Sequence, residues 1–420
     1  MAHPTVHGGA RGRAYSQQHA PHSPLSALLA SLGSAVALLL GACAPPVQDD
    51  ARTPGPALYV LNGLDRTVTR LHGVGRQVAE PSISVRGVPL QVVAAPGDAF
   101  LVMATDERGR EPRLLHFRRN GSRWVALILP LDPGAQDVVL AGDGRRYAIA
   151  AYRMSPPVAD APVPEGQGPA ADPCHLALLD LVAGTVAARS TLAPATCDAS
   201  DSIRSLASAQ AAGGAVAYVG LWRWPQTAAP AAGSGRVVKV EMSAVGITAQ
   251  HVLPLEGAPE RLVLGTAAER PGDRLYAVEA VPGPQHADWA LARGEEYAPP
   301  RAWHLLGVDP DALLPETVLS LRQPPTAVAL SPDGRRAYAL IARDGRPPTS
   351  DLREVDLVSG SARRLTTLAG LSLSITASDD HIFATRSNAD HVWVLDAHTG
   401  RVVRTVAVGR HPMGLALGIA

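Results

Sequence analysis

The side chains with the most chemical range in this sequence gather in stretches that interrupt a chain otherwise rich in small and apolar residues. Residues 282–301, PGPQHADWALARGEEYAPPR, hold His286, Asp288, Trp289, Arg293, Glu295, Glu296 and Tyr297. An imidazole, three carboxylates, two guanidiniums (the second is Arg301, its last residue) and two aromatic rings in one segment are richer chemistry than a spacer needs, and they suit the recognition of a polar ligand. Trp222-Arg223-Trp224 places two indoles two residues apart. On an extended strand both point the same way. Two such rings at a rim would form an apolar platform for a sugar, an aromatic ligand or a peptide, whereas one packed inward would serve as core. Asp106, Glu107, Arg153 and Arg386 end comparable segments and would line a mouth of mixed charge.

The same scan excludes several chemistries. There is no H-E-x-x-H and no paired cysteine at zinc spacing. There is no C-x-x-C-H for covalent haem and no G-x-S-x-G elbow for a serine nucleophile. Asp309-Pro310-Asp311 lacks the later ligands of a calcium loop and reads as a turn. His381 and His391 lie on neighbouring strand segments, where they could approach each other or stand as solvated strand ends. No catalytic residue and no resident cofactor are therefore assigned, with a divalent metal left open. The chain balances 38 bases against 38 acids. Without residues 1–42, which hold Arg11 and Arg13 and no acid, 36 bases face 38 acids. That balance offers no electrostatic footprint for nucleic acid.

These residues hang on a repeat. Seven times an alternating apolar strand leads through a Gly, Asn or Asp turn into another: 67–81, 113–127, 175–189, 236–250, 303–317, 352–365 and 391–404. Period-two alternation around such a turn signals a hairpin. A strand ending in polar residues precedes each hairpin, at 58–65, 100–107, 146–153, 215–224, 274–281, 336–344 and 381–390. A third, small-residue strand precedes six of these; the first copy lacks it, and the chain ends in one, GLALGIA at 414–420. Units of four strands repeating every forty or more residues predict an all-β, seven-bladed β-propeller, with strand 414–420 joining the N-terminal blade and closing the ring. The propeller would span 57–420. Blades 3, 4 and 5 carry insertions at 154–173, 225–235 and 282–301, all between the second strand and the hairpin and so on one face. Such insertions mark either a binding face or tolerated loop growth.

LYVLNGLDRTVTRL and HIFATRSNADHVWVLDAHTGRVVRTVAVGRHPMGLAL resemble the YVTN-repeat family of propellers, through Tyr59, Asn62, Thr67 and Val68, and through Val392, Asp396, Thr399, Gly400, Val408, Gly409, Pro412 and Gly414. The resemblance is good over 57–87 and 323–420 and extends to the middle in pattern only. It implies a seven-bladed fold without fixing an activity. Asp396 and Thr399 also overlap the D-x-x-T-G core of quinoprotein repeats, but the completing Trp and an adjacent Cys pair are missing, so they read as turn residues.

The N-terminus reads as an address. Residues 25–40 are uncharged, apolar and of signal-peptide length. They run into Leu40-Gly41-Ala42-Cys43, which resembles the bacterial lipobox. The resemblance implies a signal peptide over 1–42, acylation of Cys43, and a tether over 43–56 that holds the protein to the envelope, on the periplasmic face of the outer membrane in a Gram-negative host. In an oxidising compartment Cys174 and Cys197, which flank one hairpin at its open end, are placed to form a disulfide. The leading expectation is a monomeric, non-catalytic scaffold. It would bind a protein, peptide or envelope polymer through the insertion face, with Trp222, Trp224, Arg153, Asp106, His286, Asp288, Trp289 and Arg386 as candidate contacts. A lactonase-like hydrolase or lyase with a metal-assisted site on that face is the first alternative. An accessory protein of a periplasmic redox system is the second.

Overall fold

The computed structural model describes residues 56–418 except 74–77, 143, 153–173, 198–200, 212–213, 224–234, 244, 267–272, 283–299, 310–313, 322 and 344. Among the described residues every regular element is a strand, and no helix is long and apolar enough to cross a membrane. The strands form seven antiparallel sheets, one per blade, with four successive positions from the channel outward: inner, second, third and outer. The inner strands are Val88–Ala95, Ala135–Ala141, Asp201–Ala211, Ala258–Thr266, Pro325–Leu330 and Ile375–Ala377 in blades 2 to 7.

Blade 1 takes its inner strand from the other end of the chain. Pro412–Leu417 pairs antiparallel with Leu58–Asn62, matching Leu58 with Leu417, Val60 with Leu415 and Leu61 with Gly414. The strand begins two residues before the expected 414, because Pro412 already pairs with Asn62. The ring is thus closed by backbone hydrogen bonds, and an innermost sheet edge that would otherwise be open is covered.

Blade 1 departs from expectation at its rim. The hairpin over 67–81 predicts one continuous outer strand, but that strand splits into Val78–Ala79 and Ile83–Ser84, both pairing with Thr67–His72. Pro81 lies between the pieces and has no N–H to give the ladder.

Apolar side chains alternate to both faces of each blade and meet those of the next. Ile149, Leu176 and Leu178 of blade 3 pack with Ile203, Val219 and Val238 of blade 4. Leu58 and Val60 of blade 1 pack with Phe383, Val392 and Val394 of blade 7, so the closing junction is apolar as well as hydrogen-bonded. Every core strand is buried on both faces, which explains runs such as LYVL, AIAA and VWVL.

The third-to-outer turn follows one rule in three blades. Asp180, Asp356 and Asp396 each stand four residues before Gly184, Gly360 and Gly400, and each glycine N–H donates back to the aspartate carbonyl at 2.9 Å. The glycines have φ of 70°, 67° and 68°, where an L side chain is strained. The aspartate carboxylates accept the intervening N–H groups: Val182 and Ala183, Val358 and Ser359, His398 and Thr399. Asp396 and Thr399 therefore do turn work, as their spacing indicates. His381 and His391 stand apart: His381 pairs with Asp396 and His391 with Arg386, at opposite ends of the same two strands.

Candidate functional site

Six inner strands carry one extra residue near the same end. In the pairing of inner with second strand, Leu90, Gln136, Arg204, Glu260, Thr326 and Met413 each have no opposite residue. Such a β-bulge re-aims side chains and recurs at barrel rims and beside binding sites. All six lie at the start of the inner strand, the end at which the blade-to-blade crossovers arrive and the second strands depart. The insertions of blades 3, 4 and 5 open at this end.

The residues around the bulges stitch neighbouring inner strands together. Gln91 of blade 2 donates Nε2 to Asp137 of blade 3 at 2.6 Å, and its Oε1 accepts the Val138 N–H at 3.1 Å. Asp137 accepts the N–H of Leu206 in blade 4 at 2.9 Å. Ser205 of blade 4 donates to the carbonyl of Pro259 in blade 5 at 2.8 Å. Arg261 of blade 5 reaches the carbonyl of Thr326 in blade 6 at 3.4 Å, and Thr326 donates to the Ser372 carbonyl ahead of the blade 7 inner strand at 3.1 Å. The Leu415 N–H of blade 1 donates to Ser374 at 3.1 Å. Between blades 1 and 2 the junction is apolar, with Val92, Met413 and Ala416 in one cluster.

Within this belt the charges are confined to blades 3, 4 and 5. Burial pushes the Asp137 carboxyl up to about 6, against the lowering effect of its hydrogen bonds and of the Arg261 charge. Lumen water nevertheless reaches part of its side chain. Burial likewise raises Glu260, opposed by the nearby charge of Arg204. Arg261 is open to the lumen, yet desolvation by the channel walls lowers its pKa, opposed by Asp137. Two guanidiniums and two carboxylates, with an amide beside them, thus line one side of the upper channel. The bulge positions of blades 6 and 1, Thr326 and Met413, carry no charge.

Sequence reading named none of these inner-strand residues. A signal existed: QVVAA, DVVLA and RLVLG each begin a small apolar strand with a polar residue, Gln91, Asp137 and Arg261.

The rim residues that the sequence singled out are scattered. Trp222 is 5% exposed and packs with Ala258, Ala280 and Trp303 between blades 4 and 5. Its ring is core, which leaves no two-indole platform, because burying an indole against a neighbouring blade removes far more apolar area than exposing it at a rim. Asp106 accepts the backbone N–H groups of Arg110 and Glu111 at 2.6 and 3.2 Å, and these bonds hold its carboxyl below the usual range. It shapes its own loop. Arg386 lies 5.5 Å over the Trp393 ring and fills the space beside Gly370. Trp224, Arg153, His286, Asp288 and Trp289 fall outside the described residues, as does Cys43. Among the described residues no group of three or more His, Cys, Asp or Glu is arranged to hold a metal ion.

Two polar clusters brace the same face. Asp201, fully buried in its side chain, binds Arg223 at 3.1 Å and also Arg236, which donates Nε to the Thr196 carbonyl at 2.8 Å. Glu279 accepts the Gly257 N–H at 2.6 Å and meets His304 Nδ1 at 3.2 Å. Cys174 and Cys197 are joined in a disulfide, Cα to Cα 5.9 Å, tying the base of the blade 3 insertion to the crossover that carries Thr196. The hairpin geometry anticipates this bridge.

No protein-family model matches the chain, nor does any curated protein sequence. Solved structures do. A protein from Lactobacillus plantarum matches with a TM-score of 0.56 at 10% identity, over 87% of this chain and 99% of its own. A 6-phosphogluconolactonase-like protein from Bacteroides uniformis matches at 0.55 and 12% identity, over 86% and 99%. AztD from Citrobacter koseri matches at 0.50 and 11%, over 88% and 100%. At such identity the likeness is one of fold, the seven-bladed propeller.

Proposed function

We propose that the chain is a binding module of the cell envelope, tethered through an acylated Cys43, that takes its ligand into the upper mouth of the central channel. One observation carries this reading: the bulged inner strands turn a charged set, Asp137, Arg204, Glu260 and Arg261, into the lumen under the blades that bear the insertions. A structural belt needs hydrogen bonds alone, as Thr326 and Ser374 show in blades 6 and 7. Desolvated charge is costly unless it has partners, and guanidiniums beside carboxylates on one side of the channel suit a ligand carrying both acidic and hydrogen-bond-donating groups. The ligand is a small molecule or a chain end rather than a globular surface, because the charges lie inside the ring.

A second reading, a hydrolase or lyase of the lactonase kind, draws on Asp137. A carboxyl near pKa 6 beside an arginine has the proton affinity of a general acid or base at neutral pH.

The test is capture of envelope metabolites and peptides by the mature protein, compared with Arg261→Ala and Glu260→Gln. A ligand retained by the wild type and weakened about a hundredfold by Arg261→Ala, at an unchanged melting temperature, is expected; a lost charge-assisted pair in a desolvated site has that scale. Equal retention by all three overturns the channel site. Turnover of a lactone by the wild type, abolished in Asp137→Asn, replaces the binding reading with the second.

A further inference from the structure

The outer strand of blade 2, Arg123–Pro130, exposes three large apolar side chains, against two on the outer strand of blade 7 and one on that of blade 4, which holds no Asp, Glu, Lys or Arg. Trp124-Val125-Ala126-Leu127-Ile128-Leu129-Pro130 contains no charged residue, and Val125, Leu127 and Ile128 are 53%, 38% and 43% exposed. Next to it Val182, at the third-to-outer turn of blade 3, is 63% exposed. Gly184 of that turn is so close that a Cβ there would lie 3.0 Å from Leu127; Leu127 and Val125 share the face of the strand toward this turn, and Ile128 lies on its other face with Trp124, so the apolar side chains flank the free edge of the strand on both sides. By contrast, the outer strand of blade 6 shows Arg363 and Arg364 to solvent, and that of blade 5 shows Glu316. An apolar outer strand with a free hydrogen-bonding edge invites another chain or a surface, and natural proteins usually guard it with charge.

The position of the chain's entry indicates the occupant. Tyr59, two residues after Ala57, has its ring 6.4 Å from that of Trp124 on this strand. The described chain therefore begins, at Pro56, on the side of blade 1 that packs against this strand's Trp124. Thirteen residues, 44–56, separate Cys43 from Ala57, with an extended reach of about 45 Å. If Cys43 carries lipid, as proposed above, the membrane is always within reach of the patch, and a weak apolar contact gains a high effective concentration. Arg123 begins the strand, exposed and in no ion pair among the described residues, at the place where an anionic headgroup would meet it. Trp124 lies at the boundary, its ring packed on Phe100 and Tyr59 and reached by Arg119 at 5.9 Å. Aromatic and arginine side chains of this kind favour the headgroup level.

We propose that Val125, Leu127, Ile128 and Val182, edged by Arg123, form a shallow membrane-contact patch. It docks the rim of blades 2 and 3 on the lipid surface beside the tether. Insertion stops at the headgroup layer, because the strand's free backbone N–H and carbonyl groups need water or headgroup partners that hydrocarbon cannot give. The propeller then stands with its rim on the membrane and the channel mouth turned along it, open to the aqueous space. This rests on the envelope-tethered reading, but its test does not require the lipid.

The experiment uses residues 43–420 with Cys43→Ser, so that no acyl chain contributes. Co-sedimentation is measured with vesicles of phosphatidylethanolamine and phosphatidylglycerol, and with phosphatidylcholine alone. The unacylated protein is expected to bind the anionic vesicles, and Val125→Glu with Ile128→Glu to weaken that binding at least about tenfold. Arg123→Glu, a surface change that leaves the core intact, is expected to remove most of the preference for the anionic vesicles. It serves as the deciding variant should the double substitution alter the melting curve. Failure of the wild type to sediment with either vesicle overturns the patch, as does equal binding by all variants. A wild-type dimer in solution that Val125→Glu makes monomeric overturns it in favour of a second copy on the same strand. Lack of acylation in cells with patch binding intact would remove the tether and leave the patch.

Discussion

Blades 6, 7 and 1 and blades 2 to 5 solve the same packing problem with different residues. In the first group the second and third strands are joined by short turns, and the channel belt is built from hydroxyls and backbone: Thr326 to Ser372, Leu415 to Ser374. In the second group the same belt is made by Gln91 and Asp137, with Ser205 joining blade 4 to blade 5, and charge is added at Arg204, Glu260 and Arg261. The fold asks only that each inner strand bond to its neighbour at the bulge. A desolvated carboxylate such as Asp137 costs stability that a threonine does not, so its presence in one half of the ring is not explained by the needs of folding.

The largest effect expected on this comparison comes from removing what the two groups share, the closed ring. Deleting residues 412–420 should abolish the single cooperative unfolding transition in circular dichroism, because it exposes the edge of Leu58–Asn62 and the apolar junction with blade 7. A truncated chain that melts like the wild type would show that the blades stand without closure. Next is the bridge that braces the charged half. Cys174→Ala with Cys197→Ala should lower stability by about 3 kcal/mol, the loop-entropy value for a closed segment of 23 residues. Denaturant unfolding with and without reductant reads this directly, and an unchanged wild-type midpoint under reduction would refute it. Within that half, the sharpest probe is pH. The folded-state pKa of Asp137, about 6, exceeds the ordinary 3.8, so the fold prefers the protonated form. Its penalty is absent below about pH 4, grows as pH rises through 6 and is complete above it. Lumen water screens part of the carboxylate, so the full difference should be about 2 kcal/mol rather than the 3 of a sealed site. Relative to the wild type, Asp137→Asn should therefore gain that amount between pH 4 and pH 8 in chemical denaturation, and a pH-independent difference would place the carboxylate in ordinary solvent.

The architecture was legible because it repeats. Seven hairpins, a missing first inner strand and a surplus last one dictate a closed ring, and the Asp-to-Gly spacing in 180–184, 356–360 and 396–400 fixes three turns from composition alone. The channel belt was not legible, since a bulge is a matter of register: whether Glu260 or Arg261 loses its partner is decided by the second strand opposite, not by local pattern. The rim misled for a related reason. Trp222 and Trp224 look alike in sequence, yet the position of Trp222 against Ala258 and Ala280 is set by the next blade. Asp106 carries a charge that its own loop consumes. Local chemistry reveals what a side chain can do; the neighbouring blade decides whether it is available.

Closure by the last strand also sets a clock. Blade 1 is begun by Leu58–Asn62, yet its inner strand, Pro412–Leu417, is made 350 residues after Asn62. At ordinary translation rates roughly 20 to 70 seconds separate the two paired strands. During that interval Leu58, Val60 and Leu61 lack the strand that later covers them. Contacts so distant along the chain form slowly in any case. The unfinished ring therefore keeps an open-edged first blade until the closing strand is made, and an exposed apolar edge of that kind is prone to aggregate while it lasts.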